Sequence, residues 1–110
     1  MNFLSILFLL SLSFMSFEQD SDCGVTVPTS YNRKAKTKVC MTPQSDCFLN
    51  GMVFSIYDDF GKNVYKSNNV KDCWDETFKG KPLPSGHYFW KISYFNDGRE
   101  VKKSGKFHML

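Results

Sequence analysis

The sequence predicts an all-β fold, a small β-sandwich of about seven strands that disulfides hold together. Four observations support this prediction. Two runs, Met52–Tyr57 and His87–Phe95, alternate apolar and polar side chains with the period of two that marks a half-buried strand. Turn-forming residues separate such runs at intervals of roughly ten residues. The four cysteines form an even set in a short chain, and no stretch after residue 17 shows a useful helical period.

Residues 1–16 have the character of a secretory signal peptide and are not expected to belong to the domain. They are apolar apart from serines and carry no charged side chain. The apolar run is about 15 residues long, shorter than the ~20 residues that span a bilayer as a helix. We therefore expect cleavage after Ser13 or Ser16, and no stable membrane insertion afterwards; a retained membrane anchor is the alternative. Residues 17–22 then form a polar, acidic, flexible leader, and the domain occupies residues 23–110.

The first predicted strands follow from local pattern in chain order. Short β-branched runs, GVTV from Gly24 and TKVCM from Thr37, predict two early strands. MVFSIY alternates apolar and polar side chains, and DDFG then provides a turn in which Gly61 is free to adopt positive φ. NVYKS returns as the next strand, and NNVKDC is a polar connection that leads to Trp74.

The strongest predicted strand is HYFWKISYF, which starts at His87. Its period of two puts two tyrosines, a tryptophan and an isoleucine on one face of the strand. Asp97-Gly98 is a strong hairpin signal, and EVKKSGKFHML returns as the last strand. Within that last strand, Gly105 predicts a bulge.

The cysteines predict two disulfides in an oxidising compartment. Four cysteines allow three pairings, and the sequence does not choose among them. We expect Cys40–Cys47 to close the loop CMTPQSDC, and Cys23–Cys73 to tie the N-terminal segment to the body of the domain. Zinc binding is the alternative, but the spacings fit no common zinc pattern and the two histidines lie far from any cysteine pair. No metal site is therefore expected.

No residue pattern indicates catalysis or a cofactor. His87 and His108 lack an accompanying nucleophile motif. Asp58 and Asp59 suit a turn better than an acid–base pair. The carboxylates of DCWDE, from Asp72, lack the alternating oxygen ligands and central glycine of a calcium loop. The sequence therefore favours a protein that is not an enzyme.

The net charge of +3 belongs to the part of the chain that follows the predicted signal peptide, residues 1–16. The only basic cluster is RKAKTK, from Arg33 to Lys38. A short mixed cluster of this kind usually marks a solvated loop or an edge strand, where lysines block strand-to-strand aggregation. Binding to nucleic acid or a membrane surface is the alternative reading, and we expect no nucleic-acid partner.

Three segments in the C-terminal half carry a recurring combination of residues: FSIYDDFGKNVYKS, WDETFKGKPLPSGHYFWKISY and DGREVKKSGKFHML. A strand ends in an aromatic-Gly turn, a Val-aromatic strand follows, and Trp-Asp precedes a Gly-Lys-x-Leu-Pro-x-Gly-x-Tyr-aromatic segment. From Phe54 onward, the chain therefore resembles the gliding-motility-associated C-terminal domain, the type B sorting domain of the type IX secretion system in Bacteroidota. The residues that match in order and spacing are Phe60, Gly61, Val64, Tyr65, Trp74, Asp75, Gly80, Lys81, Leu83, Pro84, Gly86, Tyr88 and Phe89.

The chain departs from the family pattern at several points. Glu76 stands where the family usually has a glycine after Trp-Asp, TPQSDCFLNG replaces an entry rich in Asn, Gly and Asp, and the last residue is Leu110, not a basic residue. The cysteines are additional. The matched residues also have plain physical roles, since Trp74 can fill a core and Asp75 can accept hydrogen bonds in a turn. The matched stretch is therefore predicted to be architecture that a partner recognises as a surface.

The resemblance implies an Ig-like β-sandwich and a route of export. A signal peptide would carry the chain through the inner membrane to the periplasm. The outer-membrane translocon and its shuttle components would then recognise the folded domain and deliver it to the cell surface or the medium. Because a sorting domain makes up almost all of the exported chain, we also consider a role as adaptor for a separate surface partner.

The expected docking surface is the last hairpin, Lys91–Leu110, whose edge offers unpaired backbone groups and basic side chains. A second hypothesis is a secreted Ig-like binding module or adhesin that contacts a ligand through Tyr57, Phe89 and Phe95. A small enzyme or toxin is a third, and it requires a pocket lined with titratable groups. The candidate residues of the docking surface are Lys91, Phe95, Arg99, Lys102, Lys103, Lys106 and Leu110.

Overall fold

A computed structural model of the protein describes residues 24–36 and 40–110. Within these residues the backbone forms seven strands and no helix, which confirms the predicted all-β class. The predicted signal peptide and acidic leader lie outside the described residues. In chain order the strands are β1 (Ser30–Tyr31), β2 (Asn50–Tyr57), β3 (Asn63–Ser67), β4 (Thr77–Phe78), β5 (Lys81–Pro82), β6 (Gly86–Asn96) and β7 (Arg99–Met109).

The strands form two sheets. The larger sheet has five strands in the order β1-β7-β6-β2-β3, and the smaller sheet pairs β4 with β5. β6 and β7, of eleven residues each, make the longest antiparallel ladder. β2 and β3 continue the large sheet with antiparallel pairing, whereas the two-residue β1 runs parallel to the end of β7.

The alternation seen in the sequence sets which side of the large sheet is buried. Along β2, Met52, Phe54 and Ile56 are buried, as the pattern of MVFSIY predicts. The predicted hairpin joins β6 to β7, with Asp97 and Gly98 at φ values of 53° and 77°. Positive φ at both central residues is the conformation that a two-residue hairpin with the right-handed strand twist requires.

Two predictions for individual elements are wrong or only partly correct. Gly105 does not mark a bulge, because the register of β6 and β7 is unbroken from Gly86–Met109 to Asn96–Arg99. Its role is steric: a Cβ at this position would lie 2.6 Å from the Trp90 ring, so glycine lets the indole lie across the neighbouring strand. GVTV forms no strand and contributes only an isolated bridge from Thr26 to Gln44.

The core lies between the large sheet and the segments that cross over its buried face. Trp74 is 2% exposed and occupies the centre of an aromatic cluster. Its ring centroid is 5.7 Å from that of Tyr88, 5.9 Å from that of Phe107 and 6.2 Å from that of Tyr31. The loop residues Met41 and Leu49 complete the core. The prediction that Trp74 fills the core is therefore confirmed.

The predicted disulfide pairing is wrong. Cys40 bonds Cys73, with their Cα atoms 5.3 Å apart, which excludes both Cys40–Cys47 and Cys23–Cys73. The reason is that the segment after Cys40 runs beside the segment before Trp74, where the Thr42 hydroxyl donates to the backbone oxygen of Val70 at 2.8 Å. Cys47 is disulfide-bonded as well, and Cys23 lies outside the described residues.

Candidate functional site

One side of the large sheet, which we call the outer face, points away from the core. It carries the side chains of β2, β3, β6 and β7 that point to the opposite side from the core. Those near the middle of the sheet, among them Ser55, Lys91 and Lys102, line an open depression of about 490 Å³. The register of the strands aligns these side chains in three rows. They are Lys66, Ser55, Lys91 and Ser104 in the first row, Val53, Ser93 and Lys102 in the second, and Tyr57, Phe89 and Lys106 in the third.

The outer face is positively charged. Lys66, Lys91, Lys102 and Lys106 are all exposed, and in the described strands Glu100 is the one carboxylate on this face. The Lys91 ammonium also lies 5.2 Å from the centre of the Tyr57 ring, a cation–π contact that orients the lysine along the sheet. A surface of this kind complements an anionic partner.

The free side of β7, which we call the β7 edge, is covered by β1 at one end only. The backbone N–H of His108 donates to the oxygen of Thr29 at 3.1 Å, and that of Leu110 donates to the oxygen of Tyr31 at 2.8 Å. Upstream of Thr29 the chain leaves β7, because Thr26 forms its backbone bonds with Gln44 instead. Among the described residues, no strand pairs with Glu100, Lys102, Ser104 or Lys106 on this side of β7.

Alternation along β7 determines which backbone groups the β7 edge presents. His108 directs its N–H toward β1, and in an antiparallel ladder every second residue points its N–H and C=O the same way. Residues at positions 100, 102, 104 and 106 therefore direct their backbone groups outward. Their side chains lie on the outer face, so the basic face and the open edge form one continuous surface.

The structure brings together some of the predicted docking residues and separates others. Lys91, Lys102 and Lys106 lie near one another on the outer face. Phe95 shares that face near the hairpin turn and is 45% exposed. Lys103 pairs with Ile92 and so lies on the opposite side of the sheet.

The two remaining predicted residues lie at the ends of β7. Arg99 follows the hairpin turn, and Leu110 comes after the last strand residue, where it is 50% exposed. Sequence reasoning missed Lys66, which completes the cationic row from β3. Its position in the run NVYKS was visible, but its proximity to Lys91 depends on β2 lying between β3 and β6.

The turn after Trp74 shows how the chain accommodates its departure from the family pattern. Glu76 keeps the left-handed backbone expected of a glycine, with φ at 64°, which is unfavourable for a residue with a side chain. Its carboxylate accepts a hydrogen bond from the Tyr31 hydroxyl at 2.5 Å, and its backbone oxygen accepts one from the N–H of Leu83 at 2.9 Å. Burial, and then the bond to Glu76, raises the pKa of Tyr31.

Asp75 next to it also has the predicted turn role. Its carboxylate accepts hydrogen bonds from the hydroxyl of Thr77 at 2.8 Å and from the backbone N–H of Thr77 at 3.1 Å. These bonds favour the charged carboxylate and lower the pKa of Asp75. The Trp-Asp pair is thus one core side chain and one turn acceptor, as the sequence predicts.

Arg33 ties this loop region to the C-terminal end of β7. Its guanidinium donates to the backbone oxygen of Leu83, to the hydroxyl of Ser85 at 2.9 Å and to the backbone oxygen of Leu110 at 3.5 Å. The first residue of the basic cluster therefore has a structural role, while Lys34 and Lys36 are exposed. Positions 37–38 of the cluster lie outside the described residues.

A rigid turn between β2 and β3 presents an exposed aromatic ring. The Asp58 carboxylate accepts hydrogen bonds from the backbone N–H groups of Phe60 and Lys62, each at 2.9 Å, which confirms its predicted turn role. Phe60 is 94% exposed. Phe48, at the opposite end of β2, is 85% exposed, so two apolar side chains stand at opposite ends of the sheet.

The two histidines contact each other, and Asp72 contacts a hydroxyl group. The rings of His87 and His108 stack with centroids 4.7 Å apart on the exposed side of the β6–β7 ladder. The Asp72 carboxylate accepts a hydrogen bond from the Ser67 hydroxyl at 2.7 Å. Within residues 24–36 and 40–110, no cluster of three or more His, Cys, Asp or Glu side chains is placed to hold a metal ion.

Across the same ranges, no helix has the length and apolar character needed to cross a bilayer.

Comparisons with known proteins agree with this architecture. A solved structure described as the crystal structure of CopC from Methylosinus trichosporium OB3b aligns with a TM-score of 0.53 and 16% identity, over 82% of this chain and 93% of that chain. At this identity the likeness concerns the fold alone. No curated protein sequence matches the chain. The model of the CHU_C Type IX secretion signal domain matches residues 35–108, which is more than half of the chain. The chain therefore belongs to the family of type IX secretion signal domains.

Proposed function

We propose that the protein is exported because the type IX translocon or its shuttle recognises the folded domain through the last hairpin, Lys91–Leu110. Membership of the family implies export to the cell surface or the extracellular space, and contact with the secretion machinery in general. The observation that supports this docking surface is the open stretch of the β7 edge beside the lysines of the outer face. Exposed backbone groups on a sheet edge are a common docking site for protein partners.

A fusion experiment tests this proposal. A folded reporter is placed between residues 1–16 and residues 17–110, and the fusion is produced in a bacterium that has a type IX secretion system. We use all of residues 17–110 because the Cys40–Cys73 bond and the Tyr31–Glu76 hydrogen bond belong to the fold. The reporter should appear at the cell surface or in the medium. Retention in the periplasm, as for a reporter that carries residues 1–16 alone, would contradict the proposal.

The proposed role as an adaptor for a separate surface protein needs a second contact surface. The exposed rings of Phe60 and Phe48 lie at the two ends of the sheet, away from the middle of the β7 edge. One surface could then contact the secretion machinery while another holds the partner. A pull-down of the mature protein from native envelopes tests this role, with Phe60→Ser and Phe48→Ser as variants. A partner protein that is lost with either variant, while export continues, would support the adaptor role.

A secreted Ig-like binding module is the second candidate. The observation that favours it is the exposure of two aromatic rings on the outer face, 38% for Phe89 and 45% for Phe95. Rings of this kind can stack on a ligand. Gene neighbourhood separates the candidates at little cost, since secretion or gliding components beside the gene favour the sorting role, and adhesin or polysaccharide genes favour the binding module.

A further inference from the structure

In the part of the chain that the structure describes, the β7 edge combines backbone groups that no strand pairs with and the cationic side chains of Lys102 and Lys106. We propose that this edge binds an extended protein segment that carries acidic side chains at every second position. The inference rests on the proposed function and specifies the chemistry of the partner at the same surface. It draws on three observations: the backbone direction along β7, the distribution of charge on the outer face, and the limited coverage of the edge by β1.

The backbone of the edge matches the repeat of an added strand. At positions 102, 104 and 106 the N–H and C=O groups point away from β6, as the bond from His108 to Thr29 shows for the same alternation. β1 has already added to this edge at the far end of β7, where Ser30 pairs with His108. The backbone geometry of the edge therefore suits an added strand. Among the described residues, the part of the edge with no paired strand adjoins Ser30, the first residue of β1.

The side chains beside this edge select the charge of the segment. In an added strand, the residues directly opposite Lys102, Ser104 and Lys106 place their side chains on the outer face, about 5 Å from those neighbours. Opposite charges in such cross-strand positions attract, and like charges repel. Lys91 lies across from Ser104 on β6 and extends the cationic surface behind it. Acidic residues at alternate positions of the segment therefore fit this edge.

A second copy of the chain fits the edge less well. It would bring its own Lys102 and Lys106 to a surface that already carries the same two cations, and exposed lysines on an edge are a common way to prevent such pairing. An anionic polysaccharide has the negative charge that complements the lysines of the outer face, but it lacks N–H and C=O groups at the spacing of a β-strand backbone. A polypeptide satisfies both requirements.

Amide hydrogen exchange in a protein of residues 17–110 tests the inference. The probe is a short peptide of strictly alternating threonine and glutamate, and the control peptide has the same composition with its glutamates in one block. Without peptide, the amides of Lys102, Ser104 and Lys106 should exchange faster than those of Lys103 and Gly105, which face β6. The alternating peptide should slow the first group at least about tenfold and the block peptide should not.

Charge-reversal variants supply the matched control. Lys102→Glu with Lys106→Glu should weaken binding of the alternating peptide by about tenfold or more, since two cross-strand charge pairs become repulsive. Lys34→Glu with Lys71→Glu changes the net charge equally at exposed positions outside β7. This control should change the affinity by less than about twofold.

Several results would overturn the inference. One is that the alternating peptide leaves the exchange of Lys102, Ser104 and Lys106 unchanged. Another is that these amides are already protected in a dimer of the free protein, which would make a second copy the occupant. Binding of polygalacturonate without binding of the peptide would point to a polysaccharide. Export of the wild-type reporter fusion tests the proposed function separately, so an exported fusion combined with any of these results contradicts this inference alone.

Discussion

The two faces of the β6–β7 ladder have opposite chemistry, although their side chains alternate along the same two strands. On the inner face, Tyr88, Ile92 and Phe107 are each at most 3% exposed and pack in the core. On the outer face, Lys91, Lys102 and other polar side chains are in contact with solvent. The comparison shows that one set of residues fixes the shape of the domain while the other is available for recognition. Substitutions should therefore separate stability from export.

The largest expected effect on stability comes from the centre of the inner face. Trp74→Ala removes the ring around which four other aromatic rings pack, and should lower the free energy of unfolding by about 3–5 kcal/mol. Phe89→Ala on the outer face is the matched control and should cost less than about 1 kcal/mol. Urea unfolding followed by circular dichroism measures both. Equal losses for the two variants would remove the distinction between the faces.

The disulfide that supports the inner face should have the next largest effect. Replacing Cys40 and Cys73 together by alanine opens a loop with a sequence separation of 33 residues, which in the chain-entropy model costs roughly 3–4 kcal/mol. Denaturant unfolding of the double variant measures the loss. Peptide mapping of the unreduced wild-type protein should recover the fragments around Cys40 and Cys73 as one linked species. A linked species that joins Cys40 to Cys47 would contradict the structure.

Substitution of Gly105 should have a smaller effect on stability, and this effect should depend on the presence of the Trp90 ring. Gly105→Ala places a methyl group against the indole and should destabilise the protein by about 2 kcal/mol, because the ring has to move. With Trp90→Ala in the background, the same change should cost almost nothing, since the obstructing ring is gone. A double-mutant cycle on thermal unfolding supplies the coupling. A loss that is the same in both backgrounds would mean that strand geometry, not the ring, requires the glycine.

Tyr31 and Glu76 link β1 to the loops, and β1 lies before the residues that the family model matches. Tyr31→Phe removes the donor to Glu76 and should cost about 1 kcal/mol at neutral pH. The raised pKa of Tyr31 means that the folded protein keeps a proton that the unfolded chain releases. The contribution of the protonated Tyr31 hydroxyl to the free energy of unfolding is complete below pH ~10 and falls as the pH rises beyond that value.

Measuring the free energy of unfolding as a function of alkaline pH is therefore a second test of the Tyr31 hydrogen bond. The free energy of unfolding of the wild type should fall above pH ~10. In Tyr31→Phe the decline should be shallower, although Tyr65 and Tyr88, whose pKa values burial also raises, still contribute. If the two proteins lose stability along parallel curves in this range, the Tyr31 hydroxyl is not held as described.

The sequence predicts the long strands of the fold and leaves the short ones undetermined. The period of two in MVFSIY and HYFWKISYF, and the Asp97-Gly98 signal, identify β2, β6 and the hairpin because those features are local. β1, β4 and β5 have two residues each and exist only because a partner strand is near. Local pattern does not determine the disulfide pairing for the same reason, since the Cys40–Cys73 bond depends on the approach of two distant segments.

The candidate site shows the same limit. Alternation along β7 places Lys102 and Lys106 on one face, and any correct assignment of that strand would find them together. Lys103 is adjacent to Lys102 in the sequence, but the period of two places its side chain on the other side of the sheet. Lys66 joins the row only through the order of four strands, which no local pattern contains. The sequence therefore predicts which side chains of one strand share a face, but not which side chains of different strands lie close together.

The most direct test of the division between the faces is the export of a reporter fused to an outer-face variant. Lys102→Glu with Lys106→Glu should change the free energy of unfolding by no more than about 0.5 kcal/mol, yet the reporter should remain in the periplasm. The Lys34→Glu and Lys71→Glu control should be exported like the wild type. If the folded outer-face variant reaches the cell surface or the medium as efficiently as this control, then the cationic outer face and β7 edge are not the surface that export requires.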